Sequence, residues 1–196
     1  MKLALFSILL LVAQSSLSSN GAIESVRIST DDLLAKLVEI QPLYESDQEK
    51  FFSEVDQSLA PFIDFDGFSR GVMAKYYRRA NDEQKSRFSE TFRTALVKTY
   101  SKALVEFDNQ EVIVLDNDHK SKRPDRATVD LEVHAKDGTV YPIQYSLALV
   151  DDQWKLRNVV INGINIGLQF RGQFANYMQQ YRNNIDDVID NWNVDV

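Results

Sequence analysis

Val129-Asp-Leu-Glu-Val-His134, Val140-Tyr-Pro-Ile-Gln-Tyr-Ser-Leu-Ala-Leu-Val150 and Trp154-Lys-Leu-Arg-Asn-Val-Val-Ile161 decide the fold. In the first, apolar residues alternate with Asp130, Glu132 and His134, the period-two signature of a strand with one wet face. In the second, Ile143, Tyr145, Leu147 and Leu149 share a face. Asp137-Gly138 and Asp151-Asp152 sit where hairpin turns are needed, and Val112 with Val114 supplies an earlier strand. The pattern predicts four antiparallel strands in meander order.

Helices flank that sheet on both sides of the sequence. Leu33, Leu34, Leu37 and Val38 recur at helical spacing between Ser29 and Ile40, with Ser29 and Asp32 as a capping pair. Ser46-Asp-Gln-Glu49 is a second capping box, followed by Phe52, Val55 and Leu59 and stopped at Pro61. Phe68, Val72, Met73, Tyr76 and Tyr77 predict a helix reaching Arg79. Asn81 and Gln84 open the clearest segment, whose stripe is Phe88, Phe92, Leu96, Tyr100, Leu104 and Phe107. After Asn162-Gly163, the spacing of Ile166, Phe170, Phe174, Met178 and Tyr181 predicts another helix, and a short one spans Ile185 to Trp192. About six helices around a four-stranded sheet make one α+β domain.

Composition removes several functions. The 196 residues hold no Cys and two His, so disulfides, thiolate metal sites and cysteine nucleophiles are out, and His119 and His134 lack a partner at metal spacing. A formal charge of −7 argues against nucleic acid and against a bare anionic bilayer. Lys2, the apolar run Leu3 to Ala13 and the small residues up to Ala22 read as a secretory signal peptide, with the functional domain over 23–196. The run is about half of the roughly 20 residues that a membrane span requires. Cleavage there removes Lys2 and no acid, taking the charge to −8.

No Gly-rich phosphate loop, nucleophile elbow or His-Glu-x-x-His helix occurs. Asp64 and Asp66 form the only closely spaced carboxylate pair beside apolar residues, where helix capping competes with acid–base chemistry. The opposed faces are unusually rich in large apolar side chains, which either pack as a closed core or enclose something greasy.

Three stretches together resemble the MlaC-type phospholipid-binding proteins, also called the toluene-tolerance family. They are Phe52-Ser-Glu-Val-Asp-Gln-Ser-Leu-Ala-Pro-Phe-Ile-Asp-Phe-Asp66, Met73-Ala-Lys-Tyr-Tyr-Arg-Arg-Ala-Asn-Asp-Glu-Gln-Lys-Ser-Arg-Phe88 continuing through Tyr100 to Ala103, and Trp154-Lys-Leu-Arg-Asn-Val-Val-Ile-Asn-Gly-Ile-Asn-Ile166 with Phe170-Arg-Gly-Gln-Phe174 behind it. Met73-Ala74 stands where the family commonly has Leu-Gly, Asn165 where it has Ser, and Arg182-Asn-Asn184 where a Gly precedes the last helix.

The resemblance implies an NTF2-like twisted sheet wrapped by helices and enclosing an apolar cavity. It implies a periplasmic, non-enzymatic, monomeric carrier of glycerophospholipid, with the lipid as cargo and no cofactor, that preserves outer-membrane lipid asymmetry. The implied partners are an outer-membrane lipoprotein–porin complex and an inner-membrane ABC lipid transporter complex. By motif position Ile164 should face the acyl chains and Tyr100 should sit on the cavity wall. Val72, Met73, Tyr76, Phe92, Leu96, Tyr145, Leu147, Val159, Ile161, Ile166, Phe170 and Phe174 join them from their apolar faces. The alternatives are a cone-fold isomerase or dehydratase acting on a small hydrophobic substrate through Asp64 or Asp130, and an envelope chaperone.

Overall fold

A computed structural model describes residues 17–105, 110–116, 119 and 121–193, without the side chains of residues 17–20, 102 and 103. Seven α-helices and five strands follow in the order α1 (Leu17–Ile40), α2 (Leu43–Ser46), α3 (Gln48–Leu59), α4 (Phe65–Met73), α5 (Asp82–Val105), β1 (Glu111–Val114), β2 (Arg126–His134), β3 (Val140–Val150), β4 (Gln153–Ile161), β5 (Ile164–Asn165), α6 (Ile166–Gln180) and α7 (Ile185–Asp190). The strands form one open antiparallel sheet in the order β1-β2-β3-β4-β5. No described helix is long and apolar enough to cross a membrane.

The sheet has one strand more than the four expected. Asn162 at φ 50° and Gly163 at φ 82° make a left-handed two-residue turn, which folds Ile164 and Asn165 back onto Val160 and Ile161. A two-residue strand carries no period, which is why it escapes a pattern search. Asp151 and Asp152, at φ 47° and 60°, turn β3 into β4 in the same way. One face of the sheet gathers Val129, Leu131, Ile143, Tyr145, Leu147 and Leu156, with Val159 opposite Tyr145 and Ile161 opposite Ile143. Ser146 pairs with Asn158 and Leu147 with Leu156, so Arg157 is the extra residue of a bulge.

Helix α1 begins twelve residues before the expected start at Ser29, because Ala22, Ile23 and Val26 are buried against Trp154, Val129, Leu131 and Leu147. Ser29 therefore lies within the helix instead of capping it. The expected boundary at residue 22 falls inside α1, and residues 1–16 lie outside the described residues, as does Phe107. The helix starting near residue 48 is capped by Asp47, whose side chain accepts from Lys50 N at 3.0 Å. The reciprocal box at α5 forms as its sequence predicts: Asn81 accepts from Gln84 N at 2.8 Å and Gln84 from Asn81 N at 3.1 Å.

The helix expected to reach Arg79 stops at Met73. Ala74 takes φ 49°, ψ −119°, a conformation that suits glycine, and a 3-10 turn over Ala74–Tyr76 follows. This is the position where the resembling family commonly has Gly. Ala74→Gly should therefore stabilise the chain, by about 1 kcal/mol after the entropy that glycine adds to the unfolded state. Urea unfolding checks it, and a fall in stability would show that the turn is held without strain.

Two clusters of side chains divide the helical layer. Phe68, Phe88, Phe92, Phe170, Phe174 and Trp192 pack edge-to-face or stacked in one, with centroids such as Phe88–Phe174 4.8 Å apart. Leu37, Ile40, Phe51, Val55 and Val97 join α1, α3 and α5 in the other.

Candidate functional site

The boundary between those clusters and the sheet is not filled. A cavity of about 160 Å³ lies there, walled by Val55 and Leu59 of α3, Phe65 and Phe68 of α4, Leu96, Val97, Tyr100, Ser101 and Leu104 of α5, and Leu156, Val159 and Ile161 of β4. Ile63 and Ile166 complete the lining. Only Tyr100 and Ser101 bring polar side-chain atoms. The Ser101 hydroxyl is turned back onto the Val97 carbonyl of its own helix, which removes it from the cavity's chemistry. Burial pushes the Tyr100 phenol above its ordinary pKa, so the ring stays uncharged. No lining residue carries a charge.

The fourteen residues expected at the site divide into four groups. Leu96, Tyr100, Val159, Ile161 and Ile166 come together on the cavity wall. Val72, Met73, Tyr76, Phe92, Phe170 and Phe174 lie in the Phe-rich cluster, Phe92 with its ring centroid 5.2 Å from Phe68 and 5.4 Å from Phe170. Leu147 and Tyr145 pack under α1, Tyr145 with its ring 6.1 Å from Phe62. Ile164 is 60% exposed on the turn into α6, outside the lining.

Sequence reasoning missed Val55, Leu59, Ile63, Phe65, Phe68, Val97, Ser101, Leu104 and Leu156 as wall residues. The signal available was α3: its Val55 and Leu59 stripe has to face some apolar surface, and the aromatic pair Phe65 and Phe68 follows four and seven residues after the Pro61 break.

The carboxylates offered as catalytic alternatives are occupied by structural work. Asp64, not Asp66, is the cap of α4: it accepts from Gly67 N at 2.8 Å and pairs with the bulge residue Arg157. Gly67 has no room for a Cβ, which would collide with both of those side chains. Asp66 accepts from the Ser89 hydroxyl at 2.6 Å. Asp130 binds His119 at 2.6 Å and Gln144 at 2.9 Å, and it alternates with Val129 and Leu131, which belong to the apolar face. His134 likewise meets Glu132 at 2.8 Å, so each of the two histidines has a carboxylate partner. Among the described residues no group of His, Asp and Glu has the arrangement of a metal site.

The toluene tolerance protein ttg2D of Pseudomonas putida is 40% identical over 168 residues, which are 85% of this chain and 77% of that protein. The intermembrane phospholipid transport system binding protein MlaC of Haemophilus influenzae is 22% identical over 102 residues, 52% of this chain and 48% of that one. A phospholipid-binding protein from Ralstonia solanacearum, solved in complex with a phospholipid, has the same fold: TM-score 0.77 at 24% identity, over 86% of this chain and 93% of that chain. The model of the MlaC protein family matches residues 27–194, and with the ttg2D relationship this shows that the chain belongs to the MlaC family.

Proposed function

We propose that this protein is a non-enzymatic phospholipid carrier of the periplasm, exported by a cleavable signal peptide and loaded with glycerophospholipid as cargo. It passes lipid between an outer-membrane lipoprotein–porin complex and an inner-membrane ABC transporter complex, working as a monomer, and so maintains outer-membrane lipid asymmetry. The observation that carries the reading is the uncharged apolar cavity between α3, α4, α5 and β4. Relatives named for phospholipid binding and transport support it.

The cavity's 160 Å³ is about half the lower end of the roughly 300–1,000 Å³ typical of ligand pockets. A lipid enters only if the walls separate. The wall is drawn from two distinct clusters, Phe68 from one and Val55 and Val97 from the other, so separation costs contacts at their seam and leaves each cluster intact. Two acyl chains of roughly 30 methylenes gain on the order of 20 kcal/mol in leaving water, which far exceeds such a seam. A bilayer offers the chains a similar gain, so exchange is nearly balanced and release needs no chemical energy from this protein.

Native mass spectrometry of protein purified without detergent, followed by solvent extraction, tests the proposal. We expect a bound mass matching phospholipid. An empty protein that also takes no lipid from vesicles would mean that the cavity is a packing defect in a closed core.

A further inference from the structure

The acidic charge of the chain is unevenly spread. From Gly67 to Asn81 the sequence carries Arg70, Lys75, Arg78 and Arg79, and from Asn162 to Asn184 it carries Arg171 and Arg182; these 38 residues contain six cations, while all 29 Asp and Glu residues lie elsewhere. The fold brings the two stretches side by side. Arg171 on α6 donates from Nε to the Gly71 carbonyl on α4 at 3.1 Å, next to Arg70. Arg70 and Lys85 both stand over the Tyr77 ring, at 5.2 and 5.0 Å, and Lys75 stands over Tyr76 at 5.0 Å.

Neighbouring carboxylates do not neutralise this face. Asp82 is held by Lys85 at 2.8 Å, and Asp186 and Asp190 are held by Arg87 at 2.7 and 2.5 Å. Among the described residues, none of the six cations has a carboxylate within ion-pair distance. Two exposed apolar side chains lie on α6 and directly before it. Leu168, one turn before Arg171 on the same side of α6, is 55% exposed, and Ile164 is 60% exposed just ahead of the helix. Ile166, between them in sequence, lines the cavity.

We propose that this face, formed by α4, the turn that follows it and the first half of α6, seats on an anionic phospholipid surface. Arginines match phosphate by paired hydrogen bonds, and exposed Ile and Leu enter the headgroup layer. The whole-chain charge that argues against a bare anionic bilayer does not decide the matter, because salt screens it beyond about 8 Å and the bilayer senses the nearest face. Two clustered arginines with apolar neighbours favour a lipid surface over an acidic protein, whose docking would not require the exposed Leu168 and Ile164. The proposal goes beyond cargo binding: it says where the loaded or empty carrier would touch a bilayer.

Flotation with vesicles of phosphatidylglycerol and phosphatidylcholine, against vesicles of phosphatidylcholine alone, tests it. The full chain without its leader should bind the anionic vesicles, should not bind the neutral ones, and should be released by 0.5 M salt, which shortens the Debye length from about 8 Å to about 4 Å. R70E/R171E should bind at least tenfold more weakly, and R78E/R79E, at two exposed positions on the turn after α4, should also weaken binding, which keeps the test decisive should the first pair perturb folding. K50E/K122E, with the same change in net charge on other surfaces, should bind as the parent does. I164S/L168S should weaken binding without altering its salt dependence. Lack of binding by the parent protein, or equal losses in K50E/K122E, overturns the proposal. Binding of polyglutamate but not of vesicles would assign the face to an acidic protein and overturn it as well. Lipid occupancy of each variant, read by mass spectrometry, separates this failure from failure of the carrier reading.

Discussion

Phe92→Ala should lower the unfolding free energy by about 3–5 kcal/mol while the folded protein keeps its bound lipid. The ring is fully buried and meets Phe68, Phe88, Phe170 and Trp192 at centroid distances of 5.2, 5.9, 5.4 and 6.3 Å. Removing it deletes transfer energy and edge-to-face contacts together, and leaves a cavity that the surrounding rings cannot close without leaving their rotamers. Phe68 stands between this position and the candidate site, presenting one side to Phe92 and lining the cavity with another. Urea unfolding of the parent and variant measures the loss, and lipid extracted from the folded fraction reads the second half. A variant that unfolds normally yet carries no lipid would place Phe92 on the cargo path and show that the Phe-rich cluster opens with the cavity.

That experiment addresses what a sequence can and cannot place. The α+β class, the meander and the box at Asn81 and Gln84 were legible because each has its own local signal: a period, a turn dipeptide, a pair of capping side chains. Helix α1 was cut short because Ala22 and Ile23 are indistinguishable from a small-residue cleavage region until Trp154, Leu131 and Leu147 are seen beneath them. The end of α4 at Met73 was missed because the apolar spacing continues through Tyr76 and Tyr77 while the backbone does not.

The site was harder, and for a physical reason. Phe92 and Leu96 lie one turn apart on the same stripe of α5, yet one is enclosed by rings and the other borders empty space. Periodicity tells which side of a helix is apolar. Whether that side meets a filled or an unfilled volume depends on the partner's shape, here the seam between two clusters, and no stretch of α5 encodes that. Ile164 makes the same point in reverse: its motif position is next to the cavity, but the left-handed turn at Asn162 and Gly163 carries its side chain outward.

Val159→Glu should empty the carrier at pH 8 and allow it to refill as the pH falls. Val159 sits on β4 in register with Tyr145 and faces a cavity whose lining has no cation to pair with a carboxylate. Without lipid, the 160 Å³ space has room for water to hydrate the new charge, so the fold should survive. With lipid, the same carboxylate is surrounded by acyl chains, and an unpaired charge in such a setting costs several kcal/mol. At 1.4 kcal/mol per factor of ten, occupancy should fall by about a hundredfold or more. The penalty belongs to the charged form alone, so the loaded state raises the carboxyl pKa above its unloaded value. Loading is therefore coupled to proton uptake. Occupancy is lost as the pH rises through and above the unloaded pKa, and it returns below it, while the parent shows no such dependence. Val159→Gln, of the same size but without charge, should carry lipid at an intermediate level that does not change with pH. Native mass spectrometry of the three proteins after incubation with phospholipid vesicles at pH 8 and pH 4.5 reads all of this. Full occupancy of Val159→Glu at pH 8 would mean that acyl chains do not pass along β4, and the carrier would need a different pocket.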